Sequence, residues 1–220
     1  MLSSVSAWVS DLTLLASLGY IGAAANITMG IPQIRRVRRD GLAGLSSTAM
    51  LTWAACNIAW ASWGVAVGDL PVIISCGFGA IAPMWVLLRG VRAHHVQRRW
   101  AVPVVALAAA SPVTVGVTAA GWLATSLSVS YNLPQLAKTL TRRDPAGLSP
   151  GRYSLDALRS GSWVIYGVYA GLAPLAASSV IQLTTALLLL GLALALHRRA
   201  TVTVTHTAPH AEHRELAAAQ

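Results

Sequence analysis

An all-α integral membrane protein of seven transmembrane helices arranged 3+1+3, two parallel three-helix bundles joined by a linker helix, is the fold class this sequence predicts. Three observations predict it. Of the 220 residues, 55% are hydrophobic and only 10% are charged, where soluble domains carry about 25% charged residues. The net charge is +9, but the basic residues fall in short clusters between long apolar stretches. That is the pattern of membrane loops, not of a nucleic-acid-binding face, and no nucleic-acid partner is expected. The third observation is a repeat: Pro32-Gln33 recurs as Pro134-Gln135, and each copy runs from an apolar stretch into a basic loop.

A helix rising 1.5 Å per residue needs roughly 20 residues to cross about 30 Å of hydrocarbon. Spans are expected over 12–34, 45–67, 70–88, 101–117, 119–136, 149–170 and 174–196. The first is read as a retained span because "MLSSVSAWVSDLTLL" has no basic segment ahead of its apolar run. The second and third hold Cys56 and Cys76, expected to be free thiols within the bilayer. Between Arg99 and Lys138 there is no charge. That stretch is too long for one crossing, so it must fold back into the fourth and fifth spans, with Pro112, Gly116 and Gly121 marking the region of the turn. Trp100 and Trp122 sit where interfacial aromatics belong. The sixth span carries Asp156 and Arg159, and the seventh ends before Arg198 and Arg199.

Orientation follows from the basic residues. Arg35, Arg36, Arg38 and Arg39 follow the first span, and Arg89, Arg92, Arg98 and Arg99 follow the third. Lys138, Arg142, Arg143 and Arg152 follow the fifth, while the alternate loops lack Lys and Arg. The positive-inside rule then places the N-terminus outside and the C-terminus in the cytoplasm. Usage rich in Ala and Arg points to a high-GC bacterium, and so to its plasma membrane. The tail 200–220 is polar and expected to be disordered, and its His206, His210 and His213 read as solvated side chains, not as metal ligands.

The repeat extends well beyond the two dipeptides. After a one-residue shift in the loop, Gly44-Leu45-Ser46 matches Gly147-Leu148-Ser149, and Trp60, Gly64, Gly68, Pro71 and Ser75 match Trp163, Gly167, Gly171, Pro174 and Ser178. Each copy covers three spans. The first unit is 1–90, the linker helix 91–117 and the second unit 118–199. A three-span unit ends on the side opposite to its start, so one extra crossing is what makes the two units parallel, related by an axis along the membrane normal.

The doubled Pro-Gln, the basic loop, the Gly-Leu-Ser after it and the later "WASWG" and "WVIYG" together resemble the PQ-loop superfamily, and in architecture the SWEET (MtN3/saliva) sugar transporters. The resemblance implies facilitated diffusion of a small sugar by alternating access. It implies that prolines on spans one, two, five and six flex as an inner gate. Pro32, Pro134 and Pro150 fit that set, while Ser47 stands in the span-two place. A proline inside a helix leaves one carbonyl without its partner, and Gln33 and Gln135 are placed to supply replacement bonds.

Trp60 and Trp163 offer flat faces for a sugar ring, with Asn57 and Ser160 one turn earlier to meet its hydroxyls. The family's pocket asparagines would fall at Cys76 and Ser179, with Ser75 and Ser178 adjacent. Asp156 and Arg159 are spaced to pair with each other inside a span, where lone charges are costly. "GLSPGRYSLD" is similar to the second repeat of lysosomal cystine transporters, whose aspartate at the place of Asp156 takes the coupling proton. That supports an alternative, proton-coupled amino-acid transport, with Arg159 open to a substrate carboxylate.

Other classes fit less well. A retinal photoreceptor needs a lysine in its last span, and the chain's one lysine is Lys138, in a loop. A cargo receptor of PQ-loop type ranks third. No nucleophile–base or metal constellation lies in the spans, so an enzyme is not expected, nor is any cofactor. The expected partners are a small solute, sugar or amino acid, and the lipid bilayer. A homo-oligomer is compatible with the sequence.

Overall fold

The computed structural model describes residues 2–42, 46–142 and 150–218, with side chains described over 13–42, 46–130 and 150–195. Its helices are α1 (Leu2–Asp40), α2 (Ser47–Val67), α3 (Leu70–Gly79), α4 (Ile81–Arg92), α5 (Arg98–Thr114), α6 (Val117–Arg142), α7 (Pro150–Tyr169) and α8 (Ala173–Ala218). Among the described residues four segments are long and apolar enough to cross a membrane: Thr13–Asp40, Ser47–Val67, Leu70–Arg92 and Ala173–Ala195. α5 is shorter, at 17 residues, and α7 holds Arg152, Asp156 and Arg159. Large apolar side chains point outward along the bundle, among them Leu14, Phe78, Leu107 and Leu188, while Ala, Ser and Gly fill the contacts between helices. Lipid favours that inversion, because packing rather than water exclusion holds membrane helices together. The protein is an all-α integral membrane protein.

The repeat is visible in backbone detail. α2 ends on Gly68 at φ 71 and α7 on Gly171 at φ 69, the left-handed conformation that glycine adopts without cost. The Gly68 N–H donates to the Val65 carbonyl at 3.2 Å and the Gly171 N–H to that of Val168 at 3.2 Å. The next N–H reaches one turn further back in both, Asp69 to Gly64 at 2.9 Å and Leu172 to Gly167 at 2.8 Å. Pro71 and Pro174 then occupy the first turn of the helix that follows, where a missing N–H loses no bond.

Helix neighbours repeat as well. The α3–α4 rod packs between α1 and α2, and α8 packs against both α6 and α7. α5 lies on α2 and α6. The units meet through two equivalent contacts, α1 on α7 and α2 on α6.

The structure differs from the sequence reading in the third span and in the tail, and it narrows the expected turn between the fourth and fifth spans. The third span is broken at Ala80 into α3 and α4, because Pro83 has no N–H to give the Gly79 carbonyl. Ala186 stands at the equivalent place and α8 runs on unbroken. The fold-back between the fourth and fifth spans is confined to Val115 and Gly116, the latter at φ 82, and Pro112 and Gly121 lie inside helices. Finally, α8 is helical to Ala218 where polarity led us to expect disorder. Ala211–Ala218 is rich in Ala, Glu, Leu and Arg, which are strong helix formers, whereas the Thr, Val and Pro209 before it are not.

Candidate functional site

At the end of the bundle away from the arginine clusters, the two units are locked together by matching aromatic pairs. Trp60 and Trp63 on α2 meet edge to face at 5.3 Å, and Trp163 and Tyr166 on α7 do so at 5.6 Å. The three-residue spacing puts each pair on one helix face, and the edge-to-face geometry suits the ring quadrupoles. All four are buried. The Trp63 indole N–H donates to the Val117 carbonyl, at the start of α6, at 3.0 Å. The Tyr166 hydroxyl donates to Asp69 Oδ2, in the α2–α3 turn, at 2.6 Å. The other oxygen of Asp69 caps α3 by accepting from the Val72 N–H at 2.9 Å.

Close approach at this end requires glycine. A Cβ on Gly19 would lie 2.8 Å from Pro71 Cβ and 3.1 Å from the Tyr166 ring. A Cβ on Gly121 would lie 2.7 Å from Trp63 Nε1 and 2.9 Å from Pro174 Cγ. Gly19 and Gly121 are repeat equivalents, and each admits the proline of its own unit and an aromatic ring of the other.

Halfway along the helices the lining turns polar, and the two units differ. On the first, Asn26 of α1 donates to the Ser75 carbonyl at 3.2 Å, and Asn57 of α2 donates to that of Trp53 at 3.0 Å. Both amides close on Gly79, where a Cβ would fall 2.6 Å from Asn26 Nδ2 and 3.0 Å from Asn57 Oδ1. On the second unit the corresponding positions are Ser128, Ser160 and Gln182. Arg159 Nη2 donates to Asp156 Oδ1 at 2.6 Å and to Gln182 Oε1 at 2.6 Å, and reaches Ser160 Oγ at 3.3 Å. Its Nε adds a second bond to Asp156 Oδ1 at 3.0 Å. Gln182 in turn donates to Ser178 Oγ at 2.9 Å.

Toward the arginine-rich end the described residues form two separate cores. Val37, Met50, Val86, Leu87 and Val96 pack within the first unit and against Ala101 of α5, and Tyr153, Leu189 and Ala193 pack within the second. The cluster that joins the units, which includes Ala23, Trp60, Ala124 and Trp163, sits above them toward the aromatic locks. At the rim Trp85 is flanked by the guanidiniums of Arg38 and Arg89, 5.8 and 4.7 Å from its ring centre.

Several expected pocket residues take other parts. The Trp60 N–H, expected to face a solute, donates to Ser128 Oγ at 2.8 Å, and Cys56 Sγ lies 3.2 Å from the same oxygen. Asn57, Ser160, Trp163 and Ser179 are buried, and Cys76 is half-buried. Pro32 lies inside α1, which continues to Asp40, so it does not end the helix. Gln33 makes no side-chain hydrogen bond among the described residues. Pro150 is the first residue of α7. The side chains of Pro134 and Gln135 lie outside the described residues.

Sequence reasoning missed Asp69, Tyr166, Asn26, Ser128 and Gln182. Two signals pointed to them: Asn26 and Ser128 stand at the same repeat offset as the two Pro-Gln pairs, and Gln182 is an isolated amide in an apolar run. Among the described residues no three His, Cys, Asp or Glu side chains gather as for a metal.

No family model matches the sequence, and neither does any curated protein. Among solved structures, a eukaryotic SWEET transporter determined at 3.7 Å resolution superposes with a TM-score of 0.67. The match covers 84% of this chain and 96% of that one at 14% identity. The likeness is one of fold: this is a membrane protein of SWEET-like architecture.

Proposed function

We propose that the protein is a carrier that moves a small, sugar-sized polar solute down its gradient by alternating access. In this reading seven helices cross the membrane as 3+1+3, with the α3–α4 rod as a single crossing. The units 1–90 and 118–199 are joined through the linker 91–117, and the N-terminus is outside. One observation carries the proposal. Among the described residues the buried core shared by the two units lies at one end, a polar band lies halfway along, and at the other end each unit has its own core. A structural protein or an enzyme has no need of that gradation, whereas a carrier closed on one side requires it.

The cycle follows from the geometry. A solute entering from the arginine-rich, cytoplasmic end meets Asn57, Cys76, Arg159, Ser160 and Ser179 midway, with the face of Trp163 above. Binding draws the separated ends together, and the strain falls on the aromatic locks. The Trp63–Val117 bond is worth about 1 kcal/mol net and the Tyr166–Asp69 bond about 1–2 kcal/mol, so solute binding is enough to exchange one closed end for the other. Pro32 lets α1 flex, since the residue-28 carbonyl has no N–H one turn on. Pro134, Gln135, Gln33 and Pro150 are assigned to the same inner hinge by their position in the repeat.

A second reading, proton-coupled amino-acid transport, is favoured by the Asp156–Arg159 pair. Asp156 takes up a proton only if the pair separates. The test is counterflow in proteoliposomes at equal pH, using labelled hexose, hexuronate and amino acid, with Trp163→Ala as the control. Counterflow that Trp163→Ala removes is expected. If wild-type protein exchanges no solute either at equal pH or under an inward proton gradient, the carrier reading fails. If exchange occurs only under an inward proton gradient and is lost in Asp156→Asn, the second reading replaces the first.

A further inference from the structure

The polar band is not symmetric, and its asymmetry bears on the kind of solute. Where the first unit has the glycine that admits two neutral amides, the second has Gln182, held against a guanidinium. Arg159 sits near the middle of the 20-residue α7 with its side chain 13% exposed. Every bond it makes among the described residues leaves from Nε or Nη2. Its Nη1, with two N–H donors, has no partner among them, yet it is not sealed from solvent. A half-buried guanidinium with one open edge is an unfilled carboxylate site, because the planar fork matches two carboxylate oxygens.

The surrounding charges agree. Arg152, Asp156 and Arg159 are one helical turn apart in succession, and so share a face of α7. Asp156 binds through a single oxygen, Oδ1. Gln182 fills its donor site with a neutral amide oxygen and is itself steadied by Ser178. A neutral amide is more easily displaced than a carboxylate, so the ligand enters at the Gln182 side and leaves the Asp156 bond in place. Trp163 is one turn further along the same face, placed to cover the body of a molecule whose charged end rests on Arg159.

We infer that the transported solute carries a carboxylate, which binds the Nη1 edge of Arg159 in place of the Gln182 amide oxygen, while its uncharged groups meet Asn26, Asn57 and Trp163. The inference rests on the carrier reading and narrows its substrate class. A sugar acid and an α-amino acid both present that group, and the experiment separates them.

Proteoliposomes at equal pH on both sides would be assayed for counterflow of labelled glucuronate, serine and glucose. The proteins compared are wild type, Arg159→Gln, Gln182→Ala and the double variant Asp156→Asn/Arg159→Gln, which removes both charges and leaves no lone ion buried. Wild type is expected to exchange glucuronate or serine at least about 10-fold faster than glucose. Arg159→Gln and the double variant should lose about 10–100-fold of that preference, the range for a charge-assisted hydrogen bond. Gln182→Ala should keep the preference. A merely structural pair would lower all three rates together and leave their ratio unchanged. Whichever of glucuronate and serine prevails identifies the source of the carboxylate. If glucose is exchanged as fast as either acid, or the ratio survives in the double variant, the inference is overturned and the carrier reading stands. If none of the three exchanges either at equal pH or under an inward proton gradient, both fall.

Discussion

The Tyr166–Asp69 bond should decide how firmly the aromatic end is shut, and Tyr166→Phe removes it with the least disturbance. The ring stays on Trp163 and only the hydroxyl is lost, together with its 2.6 Å bond to Asp69 Oδ2. A hydroxyl donating to a carboxylate is worth about 1.5–3 kcal/mol when buried. Asp69 is half-exposed, so water recovers part of this, and about 1–2 kcal/mol remains, a factor of roughly 5–30 in the ratio of closed to open at that end. Asp69→Asn is the gentler partner change, because an asparagine oxygen still caps α3 at Val72. Spin labels at Val65→Cys and Tyr169→Cys, on exposed faces of α2 and α7, would report the separation in a Cys56→Ser, Cys76→Ser background. Tyr166→Phe should move population from the short to the long distance, Asp69→Asn should do so to a lesser degree, and the double variant should match Tyr166→Phe. Unchanged distributions in both single variants would refute the lock. Effects that add in the double variant would show that the two residues act separately.

Gly121→Ala forces a Cβ to 2.7 Å from Trp63 Nε1 and should lower the melting temperature in detergent by roughly 3–10 °C, for about 1–3 kcal/mol of overpacking. Gly77→Ala meets nothing within 4 Å and should melt at or above wild type, so equal melting of the two variants would count against the packing described. Trp60→Phe removes the indole bond to Ser128 Oγ and should cost about 1 kcal/mol of stability while the KM for solute stays near wild type, and a KM raised tenfold would place Trp60 on the solute instead. Pro32→Ala restores an N–H inside α1 and should raise thermal stability while slowing turnover several-fold in a counterflow assay, whereas unchanged turnover would remove Pro32 from the hinge.

Features set by local chemistry were legible in the sequence. Gly68 and Gly171 repeat because each ends a helix in the left-handed conformation, and Pro71 and Pro174 because each opens the next one. The Asp156–Arg159 pair was legible from its three-residue spacing in an apolar span, and the structure joins them at 2.6 Å. What escaped were contacts between units. Tyr166 and Asp69 are 97 positions apart, and Trp60 and Ser128 are 68 apart. No periodicity links such pairs, so the Trp60 N–H looked free for a solute when it was already bonded. The break at Ala80 was missed for a different reason: hydropathy over Leu70–Arg92 is continuous, and Pro83 acts on the backbone without altering it.

Pro83 also bears on why the two halves diverged at mid-depth. In the first unit the break at Ala80 leaves the Gly79 carbonyl without a helical donor, and beside it the Asn26 and Asn57 amides donate to the Ser75 and Trp53 carbonyls, with Gly79 leaving room for them. In the second unit α8 is continuous, and Ser128 and Ser160 stand in place of the two asparagines. The equivalent positions are then available to hold a guanidinium: Ser160 beneath it, Gln182 against it and Ser178 behind. One scaffold thus spends its polar residues on its own backbone in one copy and on a charge facing the interface in the other. Restoring continuity with Pro83→Ala gives the Gly79 carbonyl a donor and should change stability without moving solute preference, while changes at Arg159 should do the reverse. Melting temperatures and counterflow ratios measured on the same variants would separate the two effects. If Pro83→Ala shifted solute preference as strongly as Arg159→Gln, that division of labour between the units would be wrong.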